Sequence, residues 1–210
     1  MEEYKTVGRE AHDSFTEQRS KFIGYAKPVQ TEEDALNFIE KIRSKHWDAK
    51  HNVYAYALRS EHICRYSDDG EPHGTGGQPV LDVIQKSGIT DTVVVVTRYF
   101  GGILLGTGGL VRAYSQGAKA ALKAAGIVTM RPEFLYSLRC DYNQYGRIAA
   151  LIPSFGGDID DTDFSDAVTV SFHVPQSQST AFLKALADLA RGSLTPEETG
   201  KAYFAAKDKT

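Results

Sequence analysis

Cysteine is scarce in this chain: its 210 residues contain only Cys64 and Cys140, with no Cys-x-x-Cys spacing. That excludes a disulfide framework and a cysteine-built zinc site, and it leads us to expect a reducing, cytoplasmic compartment. Long apolar runs are missing as well. Stretches such as Val93–Val96 fall far short of the ~20 residues that a membrane-spanning helix needs. The opening Met1-Glu2-Glu3-Tyr4-Lys5 lacks the basic-then-apolar order of a signal peptide. Neither secretion nor a membrane partner is therefore expected. An excess of positive charge is also absent, since 24 Lys and Arg face 27 Asp and Glu for a net charge of −3. Nucleic-acid binding, if it occurs, must use a local patch.

What is present is ordinary globular composition, with 41% hydrophobic and 24% charged residues, in a length that suits one large domain or two small ones. Strand-like segments are expected at 4–11 and 21–29. Thr31 and Asp34 form a capping-box pattern ahead of Ala35, Ile39, Ile42 and His46 at helical spacing. A strand at 51–59 with a hairpin partner at 63–66 follows. Residues 67–79 hold four glycines and two prolines and read as an irregular loop, from which Pro79 opens a helix stopped by Gly88. The valine-rich segment 91–100 reads as a central strand covered on both faces. It runs into Gly101–Gly109, which opens a long helix ended by Gly126. One face of that helix carries Leu110, Ala113, Tyr114, Gly117, Ala118, Ala121, Leu122 and Ala125. The opposite stripe carries Arg112, Gln116, Lys119 and Lys123.

Past Arg131-Pro132 the pattern restarts as β-α-β-β-α-β, the ferredoxin-like order. The expected fold is therefore α+β in two domains, 1–130 and 131–210. From Arg131 onward there are 8 basic and 11 acidic residues, which leaves 16 of each before it. The second domain thus carries the excess negative charge.

Three groups of residues can carry chemistry. The Gly-rich segments 74–77 and 101–109 each lead into a helix, where free N–H groups can hold an anion, although glycines there equally serve tight turns and close packing. Arg98-Tyr99-Phe100 ends the central strand with Arg112 just inside the next helix, a combination suited to phosphate and base; the alternative is that Arg98 pairs with Asp68, Asp69 or Glu71. Asp68, Asp69, Glu71 and His73, with His51, can serve acid–base chemistry or simply shape a turn. No Walker loop, Gly-x-Ser-x-Gly or His-Glu-x-x-His spacing occurs.

The segments Ser67-Asp-Asp-Gly-Glu-Pro-His-Gly-Thr-Gly-Gly-Gln-Pro79 and Thr97-Arg-Tyr-Phe-Gly-Gly-Ile-Leu-Leu-Gly-Thr-Gly-Gly-Leu-Val-Arg-Ala-Tyr114 closely resemble the signature of the IMPACT family. Asp48-Ala-Lys-His51 also resembles its strand-opening motif, while Gly76 stands where alanine is more usual. The resemblance implies a first domain like ribosomal protein S5 domain 2, a sheet with helices on one face, and a ferredoxin-like second domain similar to parts of elongation factor G. It further implies a role in translation. Eukaryotic members act through an additional N-terminal domain, so their mechanism is not carried over. The resulting expectation is a protein that binds RNA or a ribosomal component, without cofactor, metal or catalysis. Arg98, Tyr99, Gly101, Gly102, Gly106, Gly108, Arg112 and Lys119 are the binding residues, and His51, Asp68, Asp69, Glu71, Gly74 and Thr75 form the signature loop. Two rivals remain: a hydrolase or phosphotransferase using Asp68, Asp69, Glu71 and His73 with Mg²⁺, and a protein-interaction module working through the second domain.

Overall fold

The computed structural model describes residues 2–206. Its contacts divide the chain into two units, one formed by Tyr4–Thr129 and the other by the chain from Met130 onward together with the few residues ahead of Tyr4.

The first unit contains β1 (Tyr4–Val7), β2 (Ala11–Glu17), β3 (Ser20–Pro28), α1 (Glu32–Lys45), β4 (His51–Ala57), β5 (Cys64–Ser67), α2 (Gly77–Lys86), β6 (Thr92–Tyr99) and α3 (Gly106–Ala125). Its main sheet has the order β2-β3-β6-β4-β5, and each neighbouring pair is antiparallel. β6 is central and buried on both faces, for the reason its valines suggest. Val94 and Val96 enter a core with α2 and α3, whereas Val93 and Val95 enter a second core with α1. The expectation of helices on one face is thereby corrected. Ala35, Phe38, Ile39 and Ile42 give α1 an apolar stripe, and the period of two along β6 offers it an apolar face of its own.

Local chemistry fixes these elements. Asp34 N donates to Thr31 Oγ1 at 3.1 Å and Thr31 N to Asp34 Oδ2 at 3.3 Å, closing the capping box of α1. All eight residues expected on the inner face of α3 are buried. That helix lies close to the sheet because a Cβ on Gly24 would sit 2.2 Å from the Gly117 carbonyl oxygen. Several boundaries differ from the sequence reading, and three of them are instructive. The strand expected at 4–11 ends at Val7, and a separate polar strand, β2, follows it. α2 begins at Gly77 rather than Pro79, because a carboxylate remote in sequence satisfies its first N–H groups. Helix α3 starts at Gly106, five residues after the glycine-rich segment begins.

The second unit is built on β7 (Ile127–Cys140), α4 (Tyr142–Ser154), β8 (Asp158–Phe164), β9 (Val168–Pro175), α5 (Ser179–Leu189) and β10 (Glu197–Ala205). The antiparallel order β10-β7-β9-β8 is that of the split β-α-β fold. Its core joins Tyr136, Leu138, Phe172 and Val174 to Ile148, Ile152, Phe182 and Leu186 of the two helices. β7 runs unbroken through Arg131-Pro132. The seam thus lies within a strand and not in a linker. Among the described residues no helix is long and apolar enough to cross a membrane.

Candidate functional site

The register fixes which residues share one end of the first sheet. His51 of β4 lies opposite Arg98 of β6, and Lys21 of β3 lies opposite Tyr99. The end of β6 and the starts of β3 and β4 therefore converge there.

The signature loop between β5 and α2 folds inward at this end. Asp68 accepts hydrogen bonds from the backbone N–H groups of Gly74 (2.9 Å), Gly76 (2.9 Å) and Gly77 (2.8 Å). Burial raises the Asp68 pKa, but the three N–H groups outweigh it and hold the carboxyl below its usual range. The first glycine-rich segment does hold an anion at a helix start, and that anion belongs to the protein. Asp69 accepts from Asn52 N at 2.6 Å and from Arg43 Nη2 at 2.9 Å, while its own carbonyl meets His51 Nδ1 at 2.8 Å. Thr75 Oγ1 donates to the Pro72 carbonyl at 2.7 Å. His73 stands exposed, 3.8 Å from Asp68 Oδ2.

Arg98 is buried, not presented to solvent. Its Nη1 lies 2.6 Å from Glu71 Oε1, to which Tyr114 OH also donates at 2.7 Å. The guanidinium carbon lies 5.6 Å from the Phe22 ring centroid and 5.4 Å from that of Phe100. Arg98 Nε finds no hydrogen-bond partner. Burial, and then the Glu71 charge, push the Tyr114 phenol far above its ordinary range. The expectation of Arg98 as a direct phosphate ligand is thus corrected: its charge is already neutralised inside the fold.

Tyr99 is corrected on geometric grounds. Alternation along β6 sends it to the face opposite Arg98, where its hydroxyl donates to Asp48 Oδ1 at 2.9 Å and meets His46 Nδ1 at 2.8 Å. The two residues cannot grip one ligand between them. Lys119 is exposed, but it lies 13 residues along α3 from Gly106, about 20 Å at 1.5 Å per residue. There it lines a surface cavity of about 320 Å³ with Ser87, Leu122, Lys123, Gly126 and Ile127.

The second glycine-rich segment stays open. Gly101 is held by packing, since a Cβ there would sit 2.0 Å from the Arg19 carbonyl carbon. Gly102, Gly106 and Gly108 are exposed, as are Phe100, Ile103, Leu104, Thr107 and Arg112. A Cβ on Gly102 or Gly106 would meet nothing. No side chain caps α3, and its first turn holds no acidic residue. What this arrangement can do is receive an anion on free N–H groups beside the Arg112 guanidinium. The sequence reading gave Trp47 only a surface or core role and did not single out Arg19 or Lys21; strand register brings Lys21 to this end, and the turns before β3 and β4 bring Arg19 and Trp47.

The Impact N-terminal domain profile matches residues 18–122, and a domain of unknown function, DUF1949, matches residues 138–193. The chain is 34% identical to the IMPACT family member YvyE of Bacillus subtilis over 97% of its own length and 94% of that protein's. The chain belongs to the IMPACT family. It is also 38% identical to the IMPACT family member YigZ of Escherichia coli, over 84% of this chain and 88% of that one. A crystal structure described as that of a hypothetical protein is similar at 34% identity, with a TM-score of 0.61 over 95% of this chain and 98% of that one. Protein IMPACT of Oryctolagus cuniculus matches 43% of this chain at 33% identity, and the match covers 30% of that protein.

Proposed function

We propose that this IMPACT-family protein works in the cytoplasm by binding RNA, or a ribosomal component that carries it, and so modulates translation. The observation that carries the reading is the open start of α3. Thr31 and Asp34 close α1 and Asp68 closes α2, whereas α3 begins on exposed glycines with Arg112 alongside and no acid of its own. A phosphate is the anion that such a start receives. Arg112, Gly102, Gly106 and Gly108 make the contact, and the buried Arg98–Glu71–Tyr114 cluster supports the loop from beneath. The catalytic rival is disfavoured because Asp68 and Asp69 spend both carboxylate oxygens on internal donors, and Glu71 Oε1 is held by Arg98 and Tyr114.

On this reading residues 1–130 face RNA and residues 131–210 face a protein. β8 ends the second sheet and carries Asp158, Asp160, Asp161 and Asp163, a sign of charge that repels phosphate. The test is fluorescence anisotropy of a labelled structured RNA titrated at several salt concentrations. Binding that weakens steeply as salt rises is expected. No binding near physiological salt by folded protein contradicts the reading.

A further inference from the structure

Trp47 is the single tryptophan of the chain, and it is 84% exposed. It lies in the short turn between α1 and β4, at the sheet end where β6 finishes. An indole left in water forgoes the burial that dominates aromatic energetics. The backbone that carries it, however, is held firmly. His46, just before it, is buried and donates its backbone N–H to the Ile42 carbonyl at 3.0 Å. Ala49 N donates back to the His46 carbonyl at 3.0 Å.

Side chains hold the turn as well. Asp48 accepts from Tyr99 OH, which settles the direction of the whole relay. Because the Tyr99 proton goes to Asp48, its oxygen must accept from His46 Nδ1–H, at 2.8 Å. His46 Nε2 is then a lone pair, and Tyr25 OH donates to it at 2.6 Å. Tyr25, His46, Tyr99 and Asp48 thus brace the residues on both sides of Trp47. Such bracing lowers the entropy lost when the ring takes up a partner.

The surrounding charge selects the partner. Lys45 and Lys21 act on His46 electrostatically and are exposed, with Lys45 Nζ 5.1 Å from the Tyr25 ring centroid. Lys50 and Arg19 are exposed at the same sheet end. Asp48, the acidic residue in the turn, keeps its charge while it accepts from Tyr99, and the exposed Arg19, Lys21, Lys45 and Lys50 outnumber it. A braced, exposed aromatic among lysines is the combination that takes a nucleobase on its face and phosphates at its rim. A duplex offers no free base face, since its bases already stack on one another.

We infer that Trp47 is a stacking platform for an unpaired base, so that the class of nucleic acid bound is single-stranded, with Lys21, Lys45 and Lys50 holding the backbone. This rests on the nucleic-acid reading above and extends it to a second contact, remote in sequence from Arg112.

The sole tryptophan makes the test direct. Fluorescein-labelled dodecauridylate is titrated with the whole protein and read by anisotropy, and the unlabelled oligomer is titrated into the protein while indole emission is followed. A blunt-ended RNA duplex of equal phosphate count and oligo(dT) of the same length as the single strand form parallel arms. Saturable quenching that tracks the anisotropy is expected, stronger for the single strands than for the duplex. Trp47→Ala should weaken single-strand binding about 5- to 100-fold with an unchanged melting temperature, and Trp47→Phe should restore most of it. Comparable affinity for both single strands supports the platform, because stacking on a base face needs no 2′-hydroxyl. If the oligomers bind while Trp47 emission stays constant and Trp47→Ala binds as tightly, the platform is wrong and RNA binding at Arg112 stands. Equal quenching by the duplex overturns the single-strand assignment. Emission that responds to protein concentration alone identifies a protein-contact tryptophan and overturns the inference. Absence of binding to any nucleic acid removes both readings together.

Discussion

Arg98 and Glu71 face each other inside the first unit, Nη1 to Oε1 at 2.6 Å, with both side chains almost wholly buried. A signature loop and a central strand, 27 positions apart in sequence, are thereby tied by one charge pair. Glu71→Ala or Arg98→Ala should each cost about 3–5 kcal/mol, because each leaves an uncompensated buried charge. The double variant Glu71→Leu with Arg98→Met should recover most of that loss. Urea unfolding of the four proteins checks both statements. A single variant as stable as wild type would mean that the pair is not buried in solution.

Helix α2 depends on an acceptor nine positions before its first residue. Asp68→Ala removes the acceptor for three backbone N–H groups and should cost about 1–3 kcal/mol. Faster amide exchange at Gly74, Gly76 and Gly77 is the expected local signature. Unchanged exchange there would show that water replaces the carboxylate without cost.

The Tyr25–His46–Tyr99 chain requires a neutral imidazole. Burial lowers the His46 pKa below its ordinary 6.5, and the positive charge of Lys45 lowers it further. Below about pH 6.5 the unfolded chain therefore binds a proton that the folded chain resists. The stability from this group is complete above that pH and is lost as pH falls from it toward the lower folded value. The unfolding midpoint should thus decline between pH 7.5 and 5.5, and His46→Gln should flatten that decline. Parallel curves for the two proteins would contradict the assignment.

Two glycines in different surroundings should respond in opposite directions. A Cβ on Gly24 would sit 2.2 Å from the Gly117 carbonyl oxygen, so Gly24→Ala should cost at least about 1–3 kcal/mol, the range for overpacking. Gly146 lies within α4, and a Cβ there would meet nothing. Gly146→Ala should therefore stabilise the helix by about 0.5–1 kcal/mol. Thermal melts of the two variants compare them directly.

Much of the fold could be read from the sequence, because periodicity and caps are local signals. The α1 capping box, the central valine strand, the inner face of α3 and the β-α-β-β-α-β order all follow from residues near one another in the chain. β2 escaped notice because Ala-His-Asp-Ser-Phe-Thr-Glu has no sustained alternation; it pairs with β3 through the backbone, and Phe15 stacks on Phe22. The start of α2 was misplaced because its cap comes from Asp68, across a loop. The site was less legible. Motif spacing brought Arg98 and Tyr99 together, whereas the strand period sends them to opposite faces. Long-range pairing made Glu71 the partner of Arg98, one of three acids in the loop that the sequence alone left open.

The proposed contact is phosphate at the open start of α3, beside Arg112. The most direct measurement is the salt dependence of RNA affinity for wild type, Arg112→Ala and Arg147→Ala, the last removing an exposed arginine from α4 of the second unit. The slope of log affinity against log salt should fall by about one for Arg112→Ala and stay unchanged for Arg147→Ala. Equal slopes for all three proteins, each folded and each binding RNA, would place the contact elsewhere on the molecule and contradict the claim.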